Sequence, residues 1–380
     1  MKNYKFDRLF DREIKKDKKK YRMKVGFLKA ATLLGSISAV SFVNFAIAWS
    51  NYNKTFGKRI DLYSYPFGGY LIDDFPNLKY EDRNFITSKG ITLRGRLFTQ
   101  KQKSKETKSL IIFSHGLGPG YDGYIGEIDY LVQSGYDVFA YYNTGTGKSG
   151  GESIVGFPQS VIDLSYALDY VLEDRHLRTL PLGLYGHSWG AYAVMNVLNL
   201  DYPIRAVVER SGPVSSKRIM RSVAINKAGR KAIPLLPFIS YVENLKTGKI
   251  HKLNAIDGIN KSDAEILLMH SEDDEVVPID TSPFNYLSRI KNPKVRTMLF
   301  SNKGHHVVKS NRGLKYSVEK NKEYNELSEK YNGEIPYEEK EKFGKSVDNK
   351  LYFELDFTVM QDIINFYDEV FDKKKIKMER

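Results

Sequence analysis

Short apolar runs recur along the chain at residues 110–113, 138–142, 182–185, 206–208, 266–269 and 297–300, with helix-period patterns between most of them. Continuous apolar runs of this length suit strands buried on both faces, and their alternation with helices predicts a mostly parallel sheet in an α/β domain. Two alternating runs around Ser88-Lys89-Gly90, in RNFITSKGITLRGRLFT, predict a β-hairpin ahead of that sheet. A helix over 124–134 ends at Gly135, a residue free to adopt the left-handed stop. Pro158 opens another, with Val161, Leu164, Leu168 and Val171 on one face, and a last amphipathic helix is expected near 357–371.

Two stretches interrupt the alternation. Residues 214–263 carry ten Lys/Arg against three Asp/Glu and the apolar AIPLLPFISYV; they have the place and size of a lid over an active site, or of an ordinary surface excursion. Residues 309–350 form a strongly charged insertion with a helical pattern around EKNKEYNELSEKYNG. No internal repeat is present.

The front of the chain follows different rules. From Ala30 to Trp49 it reads AATLLGSISAVSFVNFAIAW, twenty residues without a formal charge. At about 1.5 Å per residue such a helix reaches roughly the 30 Å hydrocarbon thickness. Residues 1–29 before it hold twelve Lys/Arg and four Asp/Glu, a net +8 of the chain's +13. That excess predicts a basic cytoplasmic tail, a single-pass anchor over 30–49, and everything after residue 50 outside the cytoplasm. The competing expectation is a cleaved signal, because Ala46-Ile47-Ala48 fits a small-x-small cleavage pattern and would release the body after Ala48. Residues 50–84, rich in Tyr, Asn, Asp and Lys, read as a juxtamembrane linker packing loosely on a domain that spans 85–380.

Charge and composition narrow the function. With the basic tail set aside the body is only mildly basic, and no zinc knuckle or basic-region pattern supports a nucleic-acid partner. The chain has no cysteine, which excludes disulfides, thiolate metal sites, a cysteine nucleophile and a lipid-modified cysteine.

The chemistry concentrates in LPLGLYGHSWGAYAVMNVL. An apolar strand, then Gly186-His187-Ser188-Trp189-Gly190, then a run of helix formers is G-x-S-x-G in its required context. A serine there projects Oγ from a sharp strand-to-helix turn, and flanking side chains larger than hydrogen would collide with the neighbouring elements. A serine needs a histidine to take its proton and a carboxylate to orient that histidine. ILLMHSEDDEVVP supplies Glu272, Asp273 and Asp274 after one strand run; LFSNKGHHVV supplies His305 and His306 after the next. No histidine pair has metal-site spacing with supporting carboxylates, so neither a metal nor any other cofactor is expected.

These motifs resemble the α/β-hydrolase superfamily, in its bacterial serine-hydrolase branch of esterases, monoacylglycerol-lipase-like enzymes and S33-type peptidases. The resemblance runs over roughly residues 85–308 and the last helix. It implies an α/β-hydrolase fold: a mostly parallel sheet with helices on both faces and a lid insertion, here preceded by one transmembrane helix. The family acid is the fifth residue of H-G-x-x-D-x-V-V-P, which is Asp274 in HSEDDEVVP, with Ser271 replacing the usual glycine. The family histidine follows a glycine, which is His305, with His306 the alternative. FSHGLGPG is similar to the family's oxyanion loop and implies the N–H groups of Leu117 and Trp189 as oxyanion donors. His115 is then structural, His187 a packing or specificity residue, and His176, His251 and His270 structural.

YYNTGTGKSGG, residues 141–151, imitates a phosphate-binding loop but has Tyr142 where the first glycine belongs. It occupies the family's glycine-rich loop after the fourth strand, so it is expected to be scaffold, with Lys148 exposed and no nucleotide bound. The implied activity is hydrolysis of a carboxylic ester through an acyl-enzyme, on a small or lipid-like acyl substrate. An S33-like aminopeptidase is the enzymatic alternative. A catalytically silent, anchored binding module is the alternative of another class.

Overall fold

A computed structural model describes residues 39–62, 72–102 and 106–378. Its centre is an eight-stranded sheet in the order β1-β2-β4-β3-β5-β6-β7-β8. The strands are β1 (Leu78–Ile86), β2 (Thr92–Gln100), β3 (Leu110–Ser114), β4 (Asp137–Tyr141), β5 (Leu182–His187), β6 (Ile204–Arg210), β7 (Glu265–Ser271) and β8 (Val295–Phe300). β2 pairs antiparallel with both β1 and β4, and every pairing from β4 through β8 is parallel. The six apolar runs are β3 to β8, and β3 and β4 are buried at all positions, as strands covered on both faces must be.

The hairpin forms, turning at Gly90 with φ +75°. β1 reaches back to Leu78 through a charged stretch that the apolar pattern did not mark. As an edge strand it satisfies that charge across the pair, where Arg96 Nε donates to Asp82 Oδ1 at 2.7 Å.

Alternate strand residues feed two cores. Ile112, Leu184, Val207 and Leu268 face α3 (Gln159–Glu173), α4 (Trp189–Asn196) and α7 (Ala255–Lys261). Ile111, Phe113, Tyr185, Val208 and Met269 face α2 (Ile125–Gln133) and the last helix, α11 (Phe357–Met378). The 214–263 stretch folds into α5 (Ser216–Ala228), α6 (Leu236–Thr247) and α7. The 309–350 stretch folds into α8 (Asn311–Lys330), α9 (Tyr337–Lys345) and α10 (Asn349–Tyr352).

The front end departs from the reading of residues 50–84 as a loosely packed linker. Helix α1 (Ala39–Phe56) runs past residue 50 and packs on α6, with Phe45 against Tyr241 at 6.0 Å between ring centroids. Ala48, Tyr52 and Phe56 are spaced i, i+4, i+8, so one helical stripe carries all three, and all three are buried. Residues 30–38 of the expected membrane span, and the basic tail 1–29, lie outside the described residues. Among those described, no helix is long and apolar enough to cross a membrane.

Candidate active site

Ser188 sits between β5 and α4 with φ +56° and ψ −112°, a left-handed conformation rare for any residue but glycine. Its neighbours explain how the turn is held. A Cβ on Gly190 would lie 1.9 Å from the Ser114 carbonyl oxygen, and one on Gly186 would lie 2.5 Å from that of Gly190. Only hydrogen fits at either place. The Ser188 N–H donates to the Arg210 carbonyl at 2.8 Å, and the Tyr192 N–H to the Ser188 carbonyl at 2.9 Å.

His305 and Asp274, thirty-one residues apart, meet after β8 and β7: Nδ1 lies 2.8 Å from Asp274 Oδ2. The Asp274 side chain is fully buried, and its Oδ1 accepts the N–H groups of Val276 and Val277, both at 2.9 Å. Asp273 does a different job. Its Oδ1 accepts from the Gly304 N–H at 3.0 Å and from the Ser271 hydroxyl, stitching the two loops together. Ser271 also accepts the Lys303 N–H at 3.0 Å and keeps a negative φ, so this turn does not require glycine. His306 is half-buried beside His305, and desolvation holds its imidazole well below 6.5, with Lys309 lowering it further.

A hydrogen-bond chain links three loops of the site. The Gly116 N–H donates to Tyr124 Oη at 3.1 Å; Tyr124 Oη lies 2.8 Å from His187 Nδ1; His187 Nε2 lies 3.0 Å from the His305 carbonyl oxygen. The carbonyl can only accept, so Nε2 carries the proton and Nδ1 accepts from the tyrosine. Burial, reinforced by the charge on Arg210, keeps His187 well below 6.5. A Cβ on Gly116 would lie 3.4 Å from the Ser188 Cβ, which shows how closely the 116–117 turn approaches the serine. Leu117 is half-exposed in that turn; Trp189 is buried at the first position of α4, where an N–H has no acceptor within the helix. His115 is structural: Nδ1 donates to the Gly116 carbonyl at 2.7 Å and Nε2 accepts from the Asn143 N–H at 3.2 Å, with burial lowering it to about 4.

Sequence reasoning missed the charged groups behind the serine. Arg210, at the end of β6, is fully buried and donates to both oxygens of Glu127 at 2.9 and 2.8 Å, while Tyr185 donates to the same carboxylate at 2.7 Å. Glu209 is also buried; burial pushes its carboxyl up to about 8, against the hydrogen bond from the Gly212 N–H. The adjacent Glu209 and Arg210 closing an apolar strand run were the available signal.

The 141–151 loop turns its N–H groups onto the chain's own carbonyls. The N–H groups of Gly145, Thr146, Gly147, Ser149 and Gly150 all donate to backbone carbonyls. Arg59 binds the carbonyls of Gly147 and Ser149 from outside, both at 3.0 Å. Asp163 accepts the N–H and hydroxyl of Thr144 at 2.7 and 2.8 Å. Gly145, Gly147 and Gly151 take positive φ, and Lys148 is exposed.

Ser188, His305, Leu117 and Trp189 line one cavity of about 1700 Å³. Its walls also include Asn51, Tyr52 and Phe56 of α1, Ile219 and Val223 of α5, and Tyr337 of α9. The α1 contribution was unforeseen, though the Ala48-Tyr52-Phe56 stripe was visible in the sequence.

A family model described as serine aminopeptidase, S33, matches residues 105–247, a span that includes the serine turn and ends before Asp274 and His305. The structure is similar to the esterase Pf2001 of Pyrococcus furiosus at 20% identity and a TM-score of 0.50, covering 66% of this chain and 90% of that one. It is also similar to an acetyl xylan esterase from Paenibacillus sp. R4, at 17% identity and a TM-score of 0.48, covering 69% and 89%. No curated protein matches the chain. The chain has the α/β-hydrolase fold, and a hydrolase family model matches it across the serine turn.

Proposed function

We propose that the chain is a serine hydrolase that cleaves a carboxylic ester through Ser188, His305 and Asp274. The observation that carries this reading is the His305–Asp274 hydrogen bond beside a serine held in a left-handed turn on the same cavity. Asp274 fixes Nδ1 as the protonated nitrogen and leaves Nε2 as the base. In the proposed reaction Nε2 takes the Ser188 proton as Oγ attacks the acyl carbon, then gives it to the departing alkoxide. Water repeats the sequence to release the acid. The N–H groups of Leu117 and Trp189 hold the oxyanion, each contributing about 3–4 kcal/mol of transition-state stabilisation.

Ester is favoured over peptide by the state of the carboxylates in the cavity wall. An aminopeptidase needs one to hold the substrate ammonium. Asp122 accepts from Tyr142 at 2.8 Å, Glu127 is engaged by Arg210, and Glu341 pairs with Lys345 at 2.7 Å. Turnover of p-nitrophenyl acyl esters that disappears in Ser188→Ala, with amino-acid arylamides inert, is the expected result. Faster arylamide cleavage would make the chain a peptidase.

The body is proposed to stand outside the cytoplasm on an uncleaved 30–49 anchor. Ala48 is buried within α1, and Asn51, Tyr52 and Phe56 of that helix line the cavity. Cleavage after Ala48 would cut through the helix that builds this wall. Full-length protein in the membrane fraction is expected; a released product beginning at Trp49 would overturn the anchor.

A further inference from the structure

One charged group of the cavity has no part in the proposed chemistry. Lys309, four residues after His305, is only 6% exposed, yet it lines the same cavity as Ser188. Its ammonium lies 4.0 Å from the ring centroid of Tyr352 and 5.4 Å from that of Phe353, and both rings also line the cavity. Aromatic faces attract a cation but accept no strong hydrogen bond from it. Among the described residues no carboxylate stands within ion-pair distance of this ammonium. The carboxylate that acts on it, Glu127, is already held by Arg210 and Tyr185.

Arg210 and Glu127 cancel, which leaves the Lys309 charge uncompensated in a buried site. Burial lowers its ammonium to about 7, with Glu127 opposing that fall and Arg210 adding to it. A buried cation without a counter-ion is costly, and an anion brought in by a ligand relieves that cost. The surrounding wall agrees in sign. With Glu341 paired to Lys345, Lys227 and Lys340 also line the cavity against one further carboxylate, Asp122.

We propose that Lys309 is a specificity residue that recognises an anionic group, carboxylate or phosphate, carried by the ester substrate. This rests on the serine-hydrolase reading above. The substrate class is then an ester with a second, negatively charged end, seated between Lys309 and the Tyr352 and Phe353 rings. A volume of about 1700 Å³ accommodates both ends of such a molecule.

The test separates binding from turnover. Full-length Ser188→Ala protein is titrated calorimetrically with monooctyl succinate, octyl phosphate and octyl acetate. Either charged probe is expected to bind about tenfold or more tighter than the neutral one, as a charge-assisted contact in a low-dielectric site allows; the tighter of the two says which anion is preferred. Lys309→Met, in the Ser188→Ala background, should erase the difference and Lys309→Arg retain most of it. In the active enzyme the kcat/KM ratio of p-nitrophenyl hemisuccinate to p-nitrophenyl butyrate should fall by a similar factor in Lys309→Met. Equal affinity for charged and neutral probes overturns the proposal without needing any Lys309 variant. An unchanged ratio in a folded Lys309→Met protein overturns it too, because a merely structural lysine would shift both substrates alike. The titration reads the anion preference even if Ser188 proves not to be the nucleophile.

Discussion

The His187 imidazole donates from Nε2 to the backbone carbonyl of His305 at 3.0 Å, while its Nδ1 accepts from Tyr124. The residue before the candidate nucleophile therefore fixes the backbone of the candidate base, and through Tyr124 also grips Gly116 beside the oxyanion turn. His187→Ala breaks that linkage, taking the donor from the His305 carbonyl and the acceptor from the Tyr124 hydroxyl. Losing about 1–2 kcal/mol of transition-state alignment corresponds to a kcat roughly 5–30-fold lower. Steady-state kinetics should show the loss in kcat more than in KM; an unchanged kcat would mean the linkage is not used.

Two adjacent acids should behave differently. Asp274 holds the His305 ring, whereas Asp273 ties the Gly304 N–H to Ser271. Asp274→Asn is expected to lower kcat by about 10⁴-fold, the loss typical when the orienting carboxylate becomes an amide. Asp273→Asn should stay within about tenfold of the parent, since only loop contacts weaken. Esterase rates of the two variants check this, and a reversed order would reassign the acid.

Glu209 gives a pH signature in stability. Its folded carboxyl is raised from 4.5 to about 8, chiefly by burial. Between those values the folded chain binds a proton that the unfolded chain has released, so stability must fall as pH rises. The contribution is whole below the unfolded range near 4.5 and is lost as pH climbs through about 8. Glu209→Gln should flatten this slope in urea midpoints measured from pH 5 to 9. A slope unaltered by the substitution would remove Glu209 as its source.

Gly190 should tolerate no side chain. An alanine Cβ would meet the Ser114 carbonyl oxygen at 1.9 Å, backbone against backbone, where neither element can yield without moving β3 from α4. Gly190→Ala is expected to destabilise by about 3 kcal/mol or more. Its thermal midpoint should fall by several degrees, and a midpoint like that of the parent would contradict the packing.

Much of the sheet was legible because β3 to β7 are largely buried on both faces and so are spelled as apolar runs; β8, at the far edge, is only partly covered. The serine turn was legible for a related reason: Gly186 and Gly190 leave no space for a Cβ, so the constraint is written in the sequence as glycine. β1 was half hidden, since an edge strand can carry the charged stretch from Lys79 to Arg83, with Asp82 paired across the hairpin to Arg96. Helix α1 was masked by composition: the polar residues between Trp49 and Phe56 suggested a linker, although the Ala48-Tyr52-Phe56 stripe marks a packed helix. The roles of Tyr124, Arg210 and Lys309 depend on contacts between residues far apart in the chain, which no local pattern encodes.

The most direct measurement is intact-mass and peptide mapping of the full-length protein after exposure to a fluorophosphonate probe. One adduct per chain is expected, on Ser188, absent from Ser188→Ala and formed far more slowly in His305→Ala. No adduct, or an adduct at equal rate in both variants, would show that Ser188 is not an activated nucleophile and would leave the chain a hydrolase fold used for binding.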